Sequence, residues 1–253
     1  MRAFTKHNRT MNIVIIGKGN VATNLDYAFR KKGIVCEMAS SREGLDELPL
    51  ANVYIYAVKD EALAEVVAQV KGKERAMHLH TSGSMPISVF GDDKPHAGIF
   101  YPFQTFTAGR RVDFRKLYIF IEADDEATFE VLSALAHRLT DHVEQADSAR
   151  RAVVHLSGVF VNNFTNCLYA DAAEIVARVG LPFDVLAPIA EETASKAAAS
   201  GNPAAVQTGP ARRGDEPTLE RHRALLADEP QLQDLYNKIS ENICRNVKTL
   251  KNC

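Results

Sequence analysis

Cysteine is scarce in this chain and never clustered. Cys36, Cys167, Cys244 and Cys253 lie far apart with no C-x-x-C pair, so neither a zinc-ligand spacing nor a dense disulfide framework is present. No metal is expected, and a reducing cytoplasm is the natural setting for such thiols. A charge excess is missing too. The 30 Lys and Arg against 32 Asp and Glu leave a formal charge of −2, whereas a general nucleic-acid binder would carry a basic surplus. Long apolar runs are also lacking. The first ten residues, MRAFTKHNRT, are basic and polar, and the apolar run that follows, IVII at 13–16, is far short of a signal-peptide core. Residues 1–10 therefore read as a flexible extension, with Met11 a second candidate start. The longest uncharged stretch, 152–170, holds His155, Asn162, Asn163 and Asn166, which favours a buried helix with one polar face over a membrane span.

What remains is the composition of an ordinary soluble globule, 46% hydrophobic and 25% charged over 253 residues. That length suits one large domain or two modest ones. Apolar β-branched runs at 12–16, 35–39, 53–58, 76–80, 98–100, 118–122 and 142–145 alternate with helical patterns at 20–32, 61–70 and 126–139. This is the signature of an α/β domain, a doubly wound and mostly parallel sheet covered by helices on both faces. The link between the second and third strands is short and contains Pro49, so one strand or crossover helix is trimmed there. Strand signals stop near Ala146. Apolar residues then recur at helical spacing over 148–179, ending at Gly180-Leu-Pro, and further helices are predicted over 183–199, 217–227 and 231–250. A sheet domain at 1–146 and an all-helical domain at 147–253 follow.

The most informative segment is MNIVIIGKGNVATNLDYAFRKKG. Its strand runs into Gly17-x-Gly19-x-x-Ala22 and a helix starts at once, the dinucleotide pattern in its required context. Gly17 allows the tight turn, Gly19 has no Cβ to block a pyrophosphate, and Ala22 lets the helix pack closely on the strand. Lys18, Asn20 and Val21 fill out the turn, whose N–H groups face the phosphates. About 20 residues on, an NAD site would place a carboxylate. This chain has Ser40-Ser41-Arg42 instead, which can donate to a 2′-phosphate. NADP is the expected cofactor. A solvated arginine at a helix start is the plainer reading of Arg42.

Ligands of such sheets lie beyond the carboxyl ends of the strands. There the third strand offers Ala57, Val58 and Lys59, the fourth offers His80, Thr81, Ser82, Gly83 and Ser84, and a loop 101–106 adds Tyr101 and Gln104. Alone, His80 reads as a core histidine and the hydroxyls as helix caps. Together they outline a pocket. On the long helix, His155, Val159, Asn162 and Asn163 fall at i, i+4, i+7 and i+8, on one face. Such a stripe lines a cleft or bridges neighbouring helices. Farther on, TGPARRGD supplies Arg212 and Arg213 as forks for an anion, and Asp215 as a cap for the next helix; solvated arginines are the alternative.

GKGNVA, HTSGS at 80–84, YPFQTF, RAVVHLSGVFVNN at 151–163 and TGPARRGD at 208–215 with His222 after it carry a resemblance. The chain resembles the superfamily of 6-phosphogluconate, 3-hydroxyisobutyrate and pyrroline-carboxylate reductases. It is more closely similar to a little-characterised bacterial family of Rossmann-like NADP oxidoreductases. The resemblance implies a Rossmann domain followed by a helical domain that pairs two subunits. Related dehydrogenases carry a catalytic lysine in K-x-x-N-N, and the matching position here is Val159, so lysine-assisted proton transfer does not carry over. The residue before Pro102 is commonly His in the family and is Tyr101 here.

The sequence thus predicts an NADP-dependent oxidoreductase passing hydride between NADPH and a C=O or C=N carbon of a small, anionic metabolite. His155 is the candidate acid, with His80 beside it, Asn162 or Asn163 polarises the acceptor, and Ser84, Tyr101, Gln104 and Arg212 or Arg213 hold the substrate. The rival is a nucleotide-binding sensor or assembly protein without turnover. A flavin or deazaflavin reductase is a third option, and a homodimer through the helical domain is expected.

Overall fold

The computed structural model describes residues 11–251, with side chains to 246; the predicted extension at 1–10 and Cys253 lie outside them. The chain divides into two compact units between Phe164 and Thr165.

The first unit is built on β1 (Asn12–Ile16), β2 (Val35–Ala39), β3 (Val53–Tyr56), β4 (Met77–His80), β5 (Ala97–Phe103), β6 (Tyr118–Ala123) and β7 (Val143–Gln145). They form one sheet in the order β2-β1-β3-β4-β5-β6-β7. Every pairing is parallel except β5 with β6. Strand β1 is inside the sheet and buried on both faces, so its side chains divide by the two-residue period. Ile13 and Ile15 join Leu25 and Phe29 of α1 (Asn20–Lys31) and Leu132 of α3 (Glu126–His137). Val14 and Ile16 join Leu63 and Val66 of α2 (Asp60–Gln69). The doubly wound, mostly parallel architecture is thus the one that the alternation of strands and helices predicts.

The trimmed connection is visible. Residues 40–52 pass from β2 to β3 without a helix, and Leu45 and Leu48 are buried beneath it instead. Tyr54 pins this stretch, its hydroxyl donating to Pro49 O at 2.6 Å and accepting from Ala51 N at 3.2 Å.

Two elements differ from expectation. Strand β5 runs on to Phe103, beyond the end of β4, so Tyr101 stands on a strand opposite Phe120 and not in a loop. Pro102 is tolerated because past Ile99 only β6 pairs with β5. The predicted continuous helix is α4 (Ser148–Gly158), a π-helical stretch at Val159–Phe164, and α5 (Thr165–Ala177). The wider turn breaks the 3.6-residue period on which the one-face stripe depends. Nor is that segment buried: Leu156 and Val161 are 56% and 76% exposed.

The second unit is helical. After α5 come α6 (Ala187–Ser200), the short α7 (Pro210–Arg213) inside a stretch that reads as loop, α8 (Glu216–Leu225) and α9 (Pro230–Lys251). Asp215 caps α8 by accepting from Thr218 N, as its sequence position suggests.

Candidate active site

The turn from β1 to α1 is shaped by a close approach. Gly17 adopts φ +128°, and a Cβ there would run into the Ala57 carbonyl beyond β3. Its N–H donates to Ala39 O at the end of β2. Three strand tips thus converge on one glycine, and no other residue fits. Two residues later the opposite holds. A Cβ on Gly19 would meet nothing within 4 Å. Gly19 is the N-cap of α1 and no side chain caps the helix, so the first N–H groups and the positive dipole end face an open cradle. The residues present fit a diphosphate. Ala22 is fully buried, as close helix packing requires.

At the tip of β2, Arg42 N donates to Ser40 Oγ at 3.2 Å, while the Arg42 side chain is exposed. Lys18 and Lys59 are exposed as well, and Val21, Ser41 and Val58 half-buried. Asn20 is differently employed: its amide donates to Phe106 O at 3.0 Å. Asn24, one turn on, accepts from Val112 N at 3.0 Å, and Arg111 donates to Thr23 O at 2.8 Å. The segment after β5 is thereby strapped along α1, a link absent from the sequence reading because it joins residues 86–88 apart.

At the end of β4, His80 is fully buried and stacked on Phe90. Its Nδ1 accepts from Ser82 N at 3.2 Å. Its Nε2 and Arg151 Nε are buried side-chain nitrogens without a partner among the described residues. Burial, with Arg151 nearby, pushes His80 down to about 4. Ser84 Oγ donates to Asp60 at the start of α2. Thr81 and Gly83 are buried, and Gln104 is exposed, its side-chain oxygen accepting from Thr105 N.

From α4, Arg151 is completely buried and paired with Glu122 of β6. It also donates to Met85 O, while Ser148 Oγ donates to Glu122 at 3.1 Å. This pair fixes α4 against the segment after β4. One turn on, His155 Nδ1 and Tyr101 Oη share a hydrogen bond of 3.0 Å. The sequence reading misses Asp60, Glu122 and Arg151. Arg151 stands four residues before His155, so extending the i, i+4 stripe back one turn reaches it. Asn162 and Asn163 are exposed in the π-helical stretch, where the Asn162 amide donates to Asn163 Oδ1 at 3.5 Å. In the second unit, Arg212 donates to Ala204 O at 3.1 Å and Arg213 pairs with Asp215 at 3.6 Å.

A family model described as a domain of unknown function, DUF2520, matches residues 117–243. No curated protein matches. A crystal structure from Bacteroides fragilis, named as a candidate NADP oxidoreductase, is 40% identical with TM-score 0.86, covering 93% of this chain and 98% of its own. Protein TM1727 of Thermotoga maritima has TM-score 0.75 at 16% identity, over 94% of this chain and 99% of that one. A reductive aminase of Aspergillus terreus, in complex with NADPH and ethyl levulinate, has TM-score 0.63 at 14% identity, over 95% and 99%. These last two likenesses are of fold.

Two buried histidines set an acid limit. Burial pushes both His78 and His80 down to about 4, below the ordinary value near 6.5 that the unfolded chain recovers. Between those values the unfolded state binds more protons, so stability is full above about pH 6.5 and falls as pH drops toward 4. Urea unfolding from pH 7 to 5 should show a loss approaching about 1.4 kcal/mol per pH unit for each ring, and His80→Gln should remove one proton from the slope. Stability unchanged over that range contradicts this.

Proposed function

The chain belongs to the family defined by that domain of unknown function, DUF2520, and from this premise we propose that it is an NADP-dependent oxidoreductase acting on a C=O or C=N group of a small, anionic metabolite. The observation that carries the reading is the uncapped N-terminus of α1 with open space over Gly19. The relative from Bacteroides fragilis, named as a candidate NADP oxidoreductase, supports it.

NADP, when bound, supplies the hydride chemistry. The N–H groups at 19–22 hold its diphosphate, with Gly17 shaping the turn. Ser40, Ser41 and Arg42 receive the 2′-phosphate, since hydroxyls and a guanidinium attract the charge that a carboxylate would repel. Ala57, Val58, Lys59 and the 81–83 segment line the cofactor's path. His155 holds a proton, Ser84 and Gln104 meet the substrate, and Asn162 or Asn163 polarises its acceptor group. A second reading, nucleotide binding without turnover, is favoured by Val159 at the position of the lysine in related dehydrogenases.

Arg42 tests the cofactor assignment. Replacing Arg42 with Ala should weaken NADPH binding by about tenfold or more, roughly 1.4 kcal/mol, while barely changing NADH binding; equal loss for both would remove the assignment. We also propose a homodimer through the helical region, where Val179 and Ile189 are 73% and 66% exposed. Light scattering should give twice the chain mass of 27.9 kDa; a stable monomer would contradict it.

A further inference from the structure

Tyr101 on β5 and His155 on α4, 54 residues apart, meet in one hydrogen bond of 3.0 Å. Both press on the backbone of Gly83. A Cβ at that glycine would lie 2.6 Å from His155 Nδ1 and 2.8 Å from Tyr101 Oη, so the segment after β4 closes on the pair only because residue 83 has no side chain. Aromatic neighbours complete the wall, with Phe103 and Phe120 at 5.9 and 6.4 Å from the Tyr101 ring. Tyr101 is set by the β5–β6 ladder opposite Phe120. The charged groups facing the phenol are Arg151 from α4 and Asp60 from α2.

We propose that Tyr101 is the residue that delivers the proton to the substrate and that His155 is its reservoir, an assignment that rests on the reductase reading above. Reduction of C=O or C=N places hydride on carbon and leaves one proton to be supplied to oxygen or nitrogen. The Tyr101 O–H bond breaks as the new O–H or N–H bond of the product forms, and the proton on His155 Nδ1 passes to the Tyr101 oxygen in the same step. Tyr101 ends as the neutral phenol it began as. His155 ends as the neutral ring with its proton on Nε2, and regains the second proton from water. The environment favours this relay over a lone tyrosine acid. Burial pushes the Tyr101 hydroxyl up to about 12, Arg151 opposing and Asp60 reinforcing. A phenol that resists ionisation conducts a proton without holding the negative charge, whereas an imidazole can release a proton from one ring nitrogen while keeping the one on the other. Val159 leaves no lysine to do this work.

The pair can be tested without cofactor or substrate. In the full-length protein labelled with ¹⁵N-histidine, the neutral His155 ring should carry its proton on Nε2, because the Tyr101 hydroxyl occupies Nδ1. Tyr101→Phe should abolish that preference, and Gly83→Ala should weaken it by separating two intact groups. A neutral ring carrying its single proton on Nδ1 in the wild type, or nitrogen shifts unmoved by Tyr101→Phe, would overturn the proposal. With NADPH and ethyl levulinate as the probe carbonyl, Tyr101→Phe and His155→Gln should each lower kcat by about 100-fold, with KM and NADPH affinity little changed. Full kcat in Tyr101→Phe would overturn the delivery role. NADPH binding without oxidation by the wild type would overturn the pair's assignment to reduction and the reductase reading for this carbonyl, while the nitrogen shifts still report whether the two groups are coupled.

Discussion

The structure depends on one close approach, the Gly17 backbone against the Ala57 carbonyl. It is possible only at a positive φ and without a Cβ, and it draws the tips of β1, β2 and β3 together. Its consequence is the placement of α1. The helix begins at Gly19 without a side-chain cap, leaving donors that an isolated helix would satisfy with a serine or aspartate. A helix end built this way favours an anion, and the composition of the β2 tip, two serines and an arginine, matches one carrying an extra phosphate.

The far side of the unit is organised by a second constraint, the buried guanidinium of Arg151. A fully buried cation is tolerated only when paired. Glu122 supplies the charge, and Met85 O and Ser148 Oγ accept from the same guanidinium, whose Nε has no partner among the described residues. Because those partners come from β6, the segment after β4 and α4 itself, meeting them fixes the helix that carries His155. Tyr101 is then reached across Gly83. The strap of residues after β5 onto Asn20 and Asn24 ties this region to α1.

The sheet and the turn at Gly17 were legible because their signals are local. Alternating apolar residues, a glycine at each end of a tight turn and a helix start all lie within some twenty residues of chain. The long helix was legible in extent but not in pitch. A π-helical stretch inserts its extra residue with no proline to announce it and with Gly158 just before it reading as an ordinary internal glycine, so a stripe counted at 3.6 residues does not describe 159–164. Tyr101 read as a loop residue because Pro102 suggests a strand end, and only the shortness of β4 removes the need for that missing donor. Asp60, Glu122 and Arg151 escaped notice because their meaning lies in pairings across 24 to 66 residues, which no periodicity encodes.

The central claim is that the amides opening α1 grip the diphosphate of NADP. Its most direct test is a titration of ¹⁵N-labelled protein with NADP⁺, following the backbone resonances one by one. The account predicts saturable shifts concentrated at Gly17 to Ala22 and at Ser40 to Arg42, with β7 unmoved. No shift at those amides with NADP⁺ at millimolar concentration would contradict it.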